Sequence, residues 1–235
     1  MKKIIDYTLL KLYNYLKFKT SNIPVKVFER DTVDYLFEKS KIDSSNYILN
    51  HIDEVMIFRS KESLWDFAIS NISSDGVILE FGVFKGYSIN FFAQRFNNKL
   101  YGFDSFEGLT ENWSGTNFTS GSFNLNGKLP EVLQNVTLIK GKIQDTLTSF
   151  DFNKKINMIH LDLDTYDSTK FVLNKLKNNI TNDTLICFDE YHSYPGWNNS
   201  GEYRAFKEFI LENNYKYQYL AFGNMEAIVK LINNN

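Results

Sequence analysis

The sequence predicts an α/β fold: a doubly wound, mostly parallel sheet of seven strands that ends in an antiparallel hairpin and is preceded by a helical cap. Three observations carry this reading. The stretch 77–92, VILEFGVFKGYSINFF, passes from an apolar strand through two glycines into a segment with helical spacing. From there to about residue 213 apolar strands alternate with helical segments, the pattern of parallel βαβ units with right-handed crossovers. Near the end, Gly223-Asn224 separates two strand-like runs, 215–222 and 225–232, which is a two-residue hairpin signal.

Taken in order, residues 1–60 show helical spacing without strand alternation, broken at Pro24 and around Ser44, Ser45 and Asn46. They form the expected N-terminal cap, and 61–235 the main domain. The first stretch, MKKIIDYTLLKLYNYLKFK, reads as an amphipathic helix, because Asp6, Lys11 and Asn14 interrupt a run too short to span a bilayer. Such a helix would dock on the domain or on a partner subunit of a homo-oligomer, or lie on a membrane surface through Lys2, Lys3, Lys11, Lys17 and Lys19. A helix over 63–72 stops at Ser73, Ser74, Asp75 and Gly76 and leads into the strand 77–81. Further strands are expected at 100–104, 136–140, 156–162 and 184–189, with helices at 86–96, 168–179 and 201–213. The stretch 107–130, rich in Gly, Asn, Ser and Thr, is too long for an ordinary connection and reads as a lid anchored by Phe106, Trp113 and Phe118.

A chain of 235 residues with 43% apolar content can bury one substantial core. Its net charge of −2 provides no global basic field, which argues against nucleic acid as a partner. The single cysteine, Cys187, cannot form an intramolecular disulfide and lies in an apolar run, which suits a buried thiol in a reducing, cytoplasmic setting.

The glycine-bearing turn after the strand 77–81 points to a nucleotide site, since backbone N–H groups at a helix N-terminus approach a ligand there. Phe84 stands where a dinucleotide fingerprint needs its second glycine, and no G-K-[ST] follows, so a nucleoside without a diphosphate fits this Rossmann-like turn better. Asp104 ends the next strand roughly 20 residues past Gly82, the place from which a carboxylate accepts ribose hydroxyls. Two later strands end in His160-Leu161-Asp162-Leu163-Asp164 and Phe188-Asp189-Glu190. Period-two alternation puts His160, Asp162 and Asp164 on one face, with four carboxylates at the edge where open sheets bind ligands. Like charges packed there are costly without a cation, and all-oxygen donors suit Mg2+, Mn2+ or Ca2+ better than zinc; the alternative is helix capping by Asp164 or Asp167 beside solvated carboxylates. His160 reads as a satisfied core histidine. His192, in the loop Tyr191-His192-Ser193-Tyr194-Pro195-Gly196-Trp197, is either a general base or packed on its aromatic neighbours.

These motifs together resemble class I S-adenosylmethionine (SAM) dependent methyltransferases, within them the metal-dependent O-methyltransferases of the catechol and macrocin groups. The likeness runs from about residue 55 to the C-terminus. LEFGVFKGYS is similar to the family's E-x-G-x-x-x-G-x-S turn, which implies Gly82 and Gly86 against SAM, with Glu80 and Ser88 near its methionine end. YGFDSFEGL resembles the macrocin segment, which implies Asp104 as ribose ligand with Ser105 and Phe106 beside it, the lid starting over 106–109. KGKIQDTL implies Ile143 and Gln144 flanking the adenine. IHLDLDTYDST and ICFDEY imply metal ligands Asp162, Asp189 and Glu190, with Asp162 touching the cofactor as well. Two positions depart from the pattern: Thr165 stands where catechol-type enzymes carry a catalytic lysine, and Glu190 where Asp or Asn is usual. The proton acceptor is then Asp164 or His192.

The resemblance implies a SAM-dependent O-methyltransferase, assisted by Mg2+, acting on a hydroxyl of a small-molecule acceptor, a sugar or glycan precursor. The alternatives are a metal-independent N-methyltransferase, whose carboxylates would hold an amine, and a non-catalytic SAM-binding module.

Overall fold

The computed structural model describes residues 31–232. The described residues fall into two units that divide between Glu38 and Lys39. The amphipathic helix expected at the N-terminus lies outside the described residues. Helix α1 (Thr32–Leu49) starts where Asp31 Oδ1 accepts from the N–H groups of Val33 and Asp34, at 2.9 and 3.0 Å, in the manner of an N-cap.

The larger unit is built on an eight-stranded sheet. Its strands are β1 (Met56–Ile57), β2 (Val77–Phe81), β3 (Leu100–Asp104), β4 (Val136–Lys140), β5 (Ile156–Leu161), β6 (Leu185–Phe188), β7 (Lys216–Phe222) and β8 (Ala227–Ile232), in spatial order β1-β7-β8-β6-β5-β2-β3-β4. β8 runs antiparallel to both its neighbours, β6 and β7, and the remaining pairs are parallel. The doubly wound sheet with its terminal antiparallel pair is the expected one. The strand not foreseen is β1, which adds two residues to the edge by pairing Met56 with Ala221 and Ile57 with Phe222. Two residues are too few for any alternation to register.

Helices α2 (Lys61–Ser70), α3 (Tyr87–Ala93), α4 (Ile143–Ser149), α5 (Tyr166–Leu176) and α6 (Gly201–Asn213) connect the strands. α4 was not expected, and at seven residues it is too short to show a helical period. α2 begins two residues before the expected 63 because Ser60 caps it, its hydroxyl accepting from Ser63 N at 3.2 Å.

Both faces of the sheet are covered. Leu79, Phe81, Ile159, Leu161, Ile186 and Phe188 pack on one side with Leu173 of α5 and Phe206 of α6. Ile78, Leu100, Met158, Leu185 and Cys187 pack on the other with Trp65 of α2 and Phe92 of α3. All five residues of β2 and all six of β5 are therefore buried, the near-continuous apolar runs of a parallel sheet covered on both sides. Each fully buried Leu or Phe contributes roughly 1.5–3 kcal/mol, so these central strands are the rigid base of the domain. No described helix is long and apolar enough to cross a membrane.

β2 pairs with β3 on one side and β5 on the other, so the direction of strand order reverses there. Ligand crevices of open α/β sheets form outside the carboxyl ends of strands at such a switch point.

Candidate active site

A cavity of about 300 Å³ opens at the switch point, walled by the ends of β2, β3, β5 and β6, the start of α4 and the loop after β3. The glycine turn forms one wall. Gly82 has φ +85°, and a Cβ there would lie 1.8 Å from the carbonyl oxygen of Asp162, so only glycine lets the end of β2 pass the end of β5. The next two N–H groups, of Val83 and Phe84, both donate to Asp104 Oδ2 at 2.8 Å, and Phe106 N donates to its Oδ1 at 2.7 Å. The donors expected to meet a ligand thus fix Asp104 instead, and Asp104 lines the cavity. Gly141, Lys142, Ile143 and Gln144 continue this wall, with Ser105 beside Asp104.

Four residues of the expected cofactor site do not line the cavity. Gly86, at φ +79°, is the N-cap of α3 and sits against Pro130. Phe106 turns into the core, 1% exposed. Glu80 and Ser88 lie beneath the crevice, where Ser88 Oγ donates to Glu80 Oε1 at 3.1 Å and Glu80 Oε2 meets His160 Nδ1 at 3.0 Å. These two side chains follow the strand and helix inward and meet the buried histidine.

The opposite wall is acidic. One oxygen each of Asp162, Asp164 and Glu190 lie within 4.8 Å of one another. Strand alternation ends with β5, and Asp164 comes to the cluster because its φ of +60° turns the chain back. Burial first, and then the repulsion of Asp189, push the Asp164 carboxyl up to about 7. Burial and the neighbouring carboxylates likewise raise Asp162 and Glu190 well above the usual range. Glu190 Oε2 is buried without a hydrogen-bond partner. Three convergent hard-oxygen donors, costly to ionise together and with one oxygen orphaned, fit a divalent cation such as Mg2+.

Asp189, expected among the metal ligands, lines the cavity too, and its Oδ1 is buried without a hydrogen-bond partner, but its other oxygen is tied to a lysine. Its Oδ2 accepts from Lys61 Nζ at 2.6 Å, and its Oδ1 lies 3.6 Å from His160 Nε2. Burial works to raise this carboxyl, but His160 and Lys61 outweigh it and bring it down to about 2. Burial opposes charge on His160 too, yet Asp189 and Glu80 lift it to about 10, while burial raises Glu80 in turn. The core histidine is one held between two carboxyl groups.

His192, the other expected proton acceptor, is displaced from the site. Ser193 takes φ +73°, and the ring turns against Trp197 and Phe222, 1% exposed, with Nδ1 2.7 Å from Ser193 Oγ. Burial lowers it to about 4. It does not line the cavity.

The stretch 107–130 folds on itself. Leu109 and Ser122 are tied by Leu109 N to Ser122 O at 2.9 Å, and Trp113 N donates to Phe118 O at 3.0 Å. Trp113 stacks on Phe118 with centroids 5.6 Å apart and meets Tyr194 edge-on. Leu109, Thr110, Trp113 and Phe123 face the cavity from this loop. Lys61 and Glu202, both tied to the acidic strand ends, were not foreseen. A lysine in the first turn of α2, against the helix dipole, is a mild anomaly that sequence can register without naming its partner.

Residues 79–191 match a family model described as a methyltransferase domain. No curated protein sequence matches the chain. Among solved structures, the calicheamicin methyltransferase CalS11 superposes with a TM-score of 0.57 at 19% identity, covering 86% of this chain and 94% of that one. The O-methyltransferase NovP gives 0.52 at 15% identity, covering 72% and 79%. At these identities the likeness is one of fold, an α/β fold that this chain shares with those two methyltransferases.

Proposed function

We propose that this chain is a SAM-dependent methyltransferase of class I that moves the methyl group to a hydroxyl of a sugar or glycan precursor with the assistance of Mg2+, a reading supported by the methyltransferase-domain match over residues 79–191. One observation carries the reading: a single cavity is walled on one side by the glycine turn, Asp104, Ile143 and Gln144, and on the other by Asp162, Asp164 and Glu190. A nucleoside-bearing donor and an acceptor oxygen can meet between those walls.

SAM supplies an electrophilic sulfonium methyl, and a divalent cation lowers the pKa of an acceptor hydroxyl. The chain's part is placement and proton transfer. Asp104 accepts from ribose hydroxyls, with Ile143 and Gln144 against the adenine. Asp162 and Glu190 would hold the cation, and the cavity between the two walls places the acceptor oxygen beside the methyl group. Asp164, beside these two carboxylates, takes the hydroxyl proton as the new C–O bond forms and the C–S bond breaks. The loop 107–130 acts as a lid that excludes water, presenting Trp113 and Phe123 to the acceptor. These aromatic faces, with the sequence resemblance to the macrocin group, support a sugar rather than an amine. A cytoplasmic location belongs to the same proposal, consistent with the single buried Cys187.

The test is incubation with methyl-labelled SAM and panels of nucleotide sugars, free glycosides, catechols and amines, with and without EDTA. The expected product is an O-methylated sugar that fails to form in EDTA. A labelled amine or phenol, or sugar methylation indifferent to EDTA, overturns the acceptor or the metal part respectively.

A further inference from the structure

We propose that Glu202 is a positioning residue, a bracket that sets the spacing between the two halves of the acidic cluster; the inference rests on the reading of that cluster as a cation site. β5 and β6 are tied by their ladder as far as Leu161 and Phe188, and the last bond between them runs from Asp189 N to Leu161 O at 2.9 Å. Beyond it the chains part. One turns back through Leu163 and Asp164, and the other leaves along Tyr191, whose N–H donates to Met225 O at 2.7 Å. Two N–H groups are left over at the parting, those of Leu163 and Glu190. Glu202 answers both: Oε1 accepts from Leu163 N at 3.3 Å, and Oε2 accepts from Glu190 N at 3.1 Å. One donor lies between Asp162 and Asp164, and the other belongs to Glu190 itself.

Two features set this carboxylate apart from ordinary helix capping. Glu202 is the second residue of α6, where an acidic side chain commonly serves its own helix, yet both its oxygens are committed to other segments. It is also fully enclosed, 0% exposed, a costly place for a carboxylate unless every oxygen is satisfied. The neighbouring residue makes the approach possible. Gly201 has φ +57°, and a Cβ there would lie 2.1 Å from Tyr194 Oη and 3.4 Å from Asp164 O, so a side chain would push the start of α6 off the loop. Asp162, Asp164 and Glu190 repel one another, and without a tie their loops would spread. The bracket keeps them at cation-binding distance in advance, and outer groups that orient ligands in this way are worth roughly 10–100-fold in metal affinity.

In the full chain, Glu202→Gln replaces one accepting oxygen with an NH2 donor that must face a backbone N–H, releasing one loop. Magnesium affinity, titrated as MgCl2, should fall roughly 10-fold or more, with kcat falling and the KM for SAM unchanged. Affinity for S-adenosylhomocysteine, which uses the other wall, should stay within about twofold. A folded Glu202→Gln protein with wild-type MgCl2 affinity overturns the proposal. Amide hydrogen exchange of the wild-type protein gives a second test that needs no variant. The N–H groups of Leu163 and Glu190, although in loops, should exchange as slowly as those of β5 and β6; rapid exchange of both overturns the bracket. If both are protected and the wild type takes up no MgCl2, the cation reading fails and the bracket stands.

Discussion

Without a cation, the protein should lose stability as pH rises from 5 to 8, and Asp164 should account for a measurable share. Its carboxyl sits at about 7 in the fold against 3.8 for the free side chain. A raised folded pKa means that the folded state keeps a proton which the unfolded state has released. The associated stability is complete at low pH and is lost as pH climbs toward 7. Between pH 5 and 7 each unit is worth about 1.4 kcal/mol, giving a loss of about 3 kcal/mol by pH 8. For a chain of this size that is a fall of about 6–12 °C in melting temperature. Glu202, raised to about 8 chiefly by burial, and His160, lifted to about 10 by its two carboxylates, push in the same direction. Asp189, at about 2, has the opposite sign, but its contribution is fully present above pH 4 and drops out of this window. His192, lowered to about 4 by burial, opposes the fall between pH 5 and about 6.5, because there the unfolded ring binds a proton that the folded one does not, and the comparison with Asp164→Asn cancels it. The assay is thermal unfolding in EDTA at pH 5 and pH 8, for wild type and Asp164→Asn. The variant's span between the two pH values should be narrower by about 6–12 °C, and MgCl2 should narrow the wild-type span as well. Equal spans for the two proteins would refute the account of the acidic wall.

Asp189→Asn removes the counter-ion of Lys61 and His160 and should destabilise by roughly 3 kcal/mol in urea unfolding. Its magnesium affinity should suffer far less than that of Glu190→Gln, which loses a direct donor; the reverse order would return Asp189 to the ligand set. Gly82→Ala puts a methyl group against the Asp162 carbonyl at positive φ and should cost more than about 3 kcal/mol, seen as loss of soluble, cooperatively melting protein. His192→Gln should leave turnover well above the roughly 100-fold loss that follows removal of a proton-transfer group, as measured by methyl incorporation. Trp113→Ala should raise the KM for the acceptor while leaving the dissociation constant of S-adenosylhomocysteine unchanged; equal damage to both would place Trp113 with the scaffold.

The sheet was legible because its central strands are buried on both faces, so their sequences are short, mainly apolar runs interrupted only by Glu80, Asn157 and His160. The glycine turn and the strand-end carboxylates were legible for a related reason: a parallel sheet collects the residues that end its strands along one edge. Several assignments within the site depended on features that local pattern does not carry. Asp189 reads like its neighbour Glu190, and what separates them is Lys61, 128 residues earlier in the chain. Glu80 and Ser88 match the motif, but Ser88 follows the left-handed Gly86 into a helix that turns its hydroxyl inward to Glu80. His192 is adjacent to the carboxylates in sequence, yet Ser193 at positive φ turns its ring into an aromatic pocket. Asp164 points to the cluster through another positive φ rather than through strand alternation. Single-residue backbone reversals and pairs remote in sequence thus account for the differences.

The central claim is that the cavity beside Gly82 and Asp104 holds the adenosyl group of the methyl donor. The direct measurement is calorimetric titration of the purified chain with S-adenosylhomocysteine, alongside an Ile143→Asp variant that puts charge where the adenine should lie. The account predicts micromolar binding by the wild type and at least about tenfold weaker binding by the variant, the equivalent of about 1.4 kcal/mol. Absence of binding by the folded wild-type protein, or equal binding by the two, would contradict it.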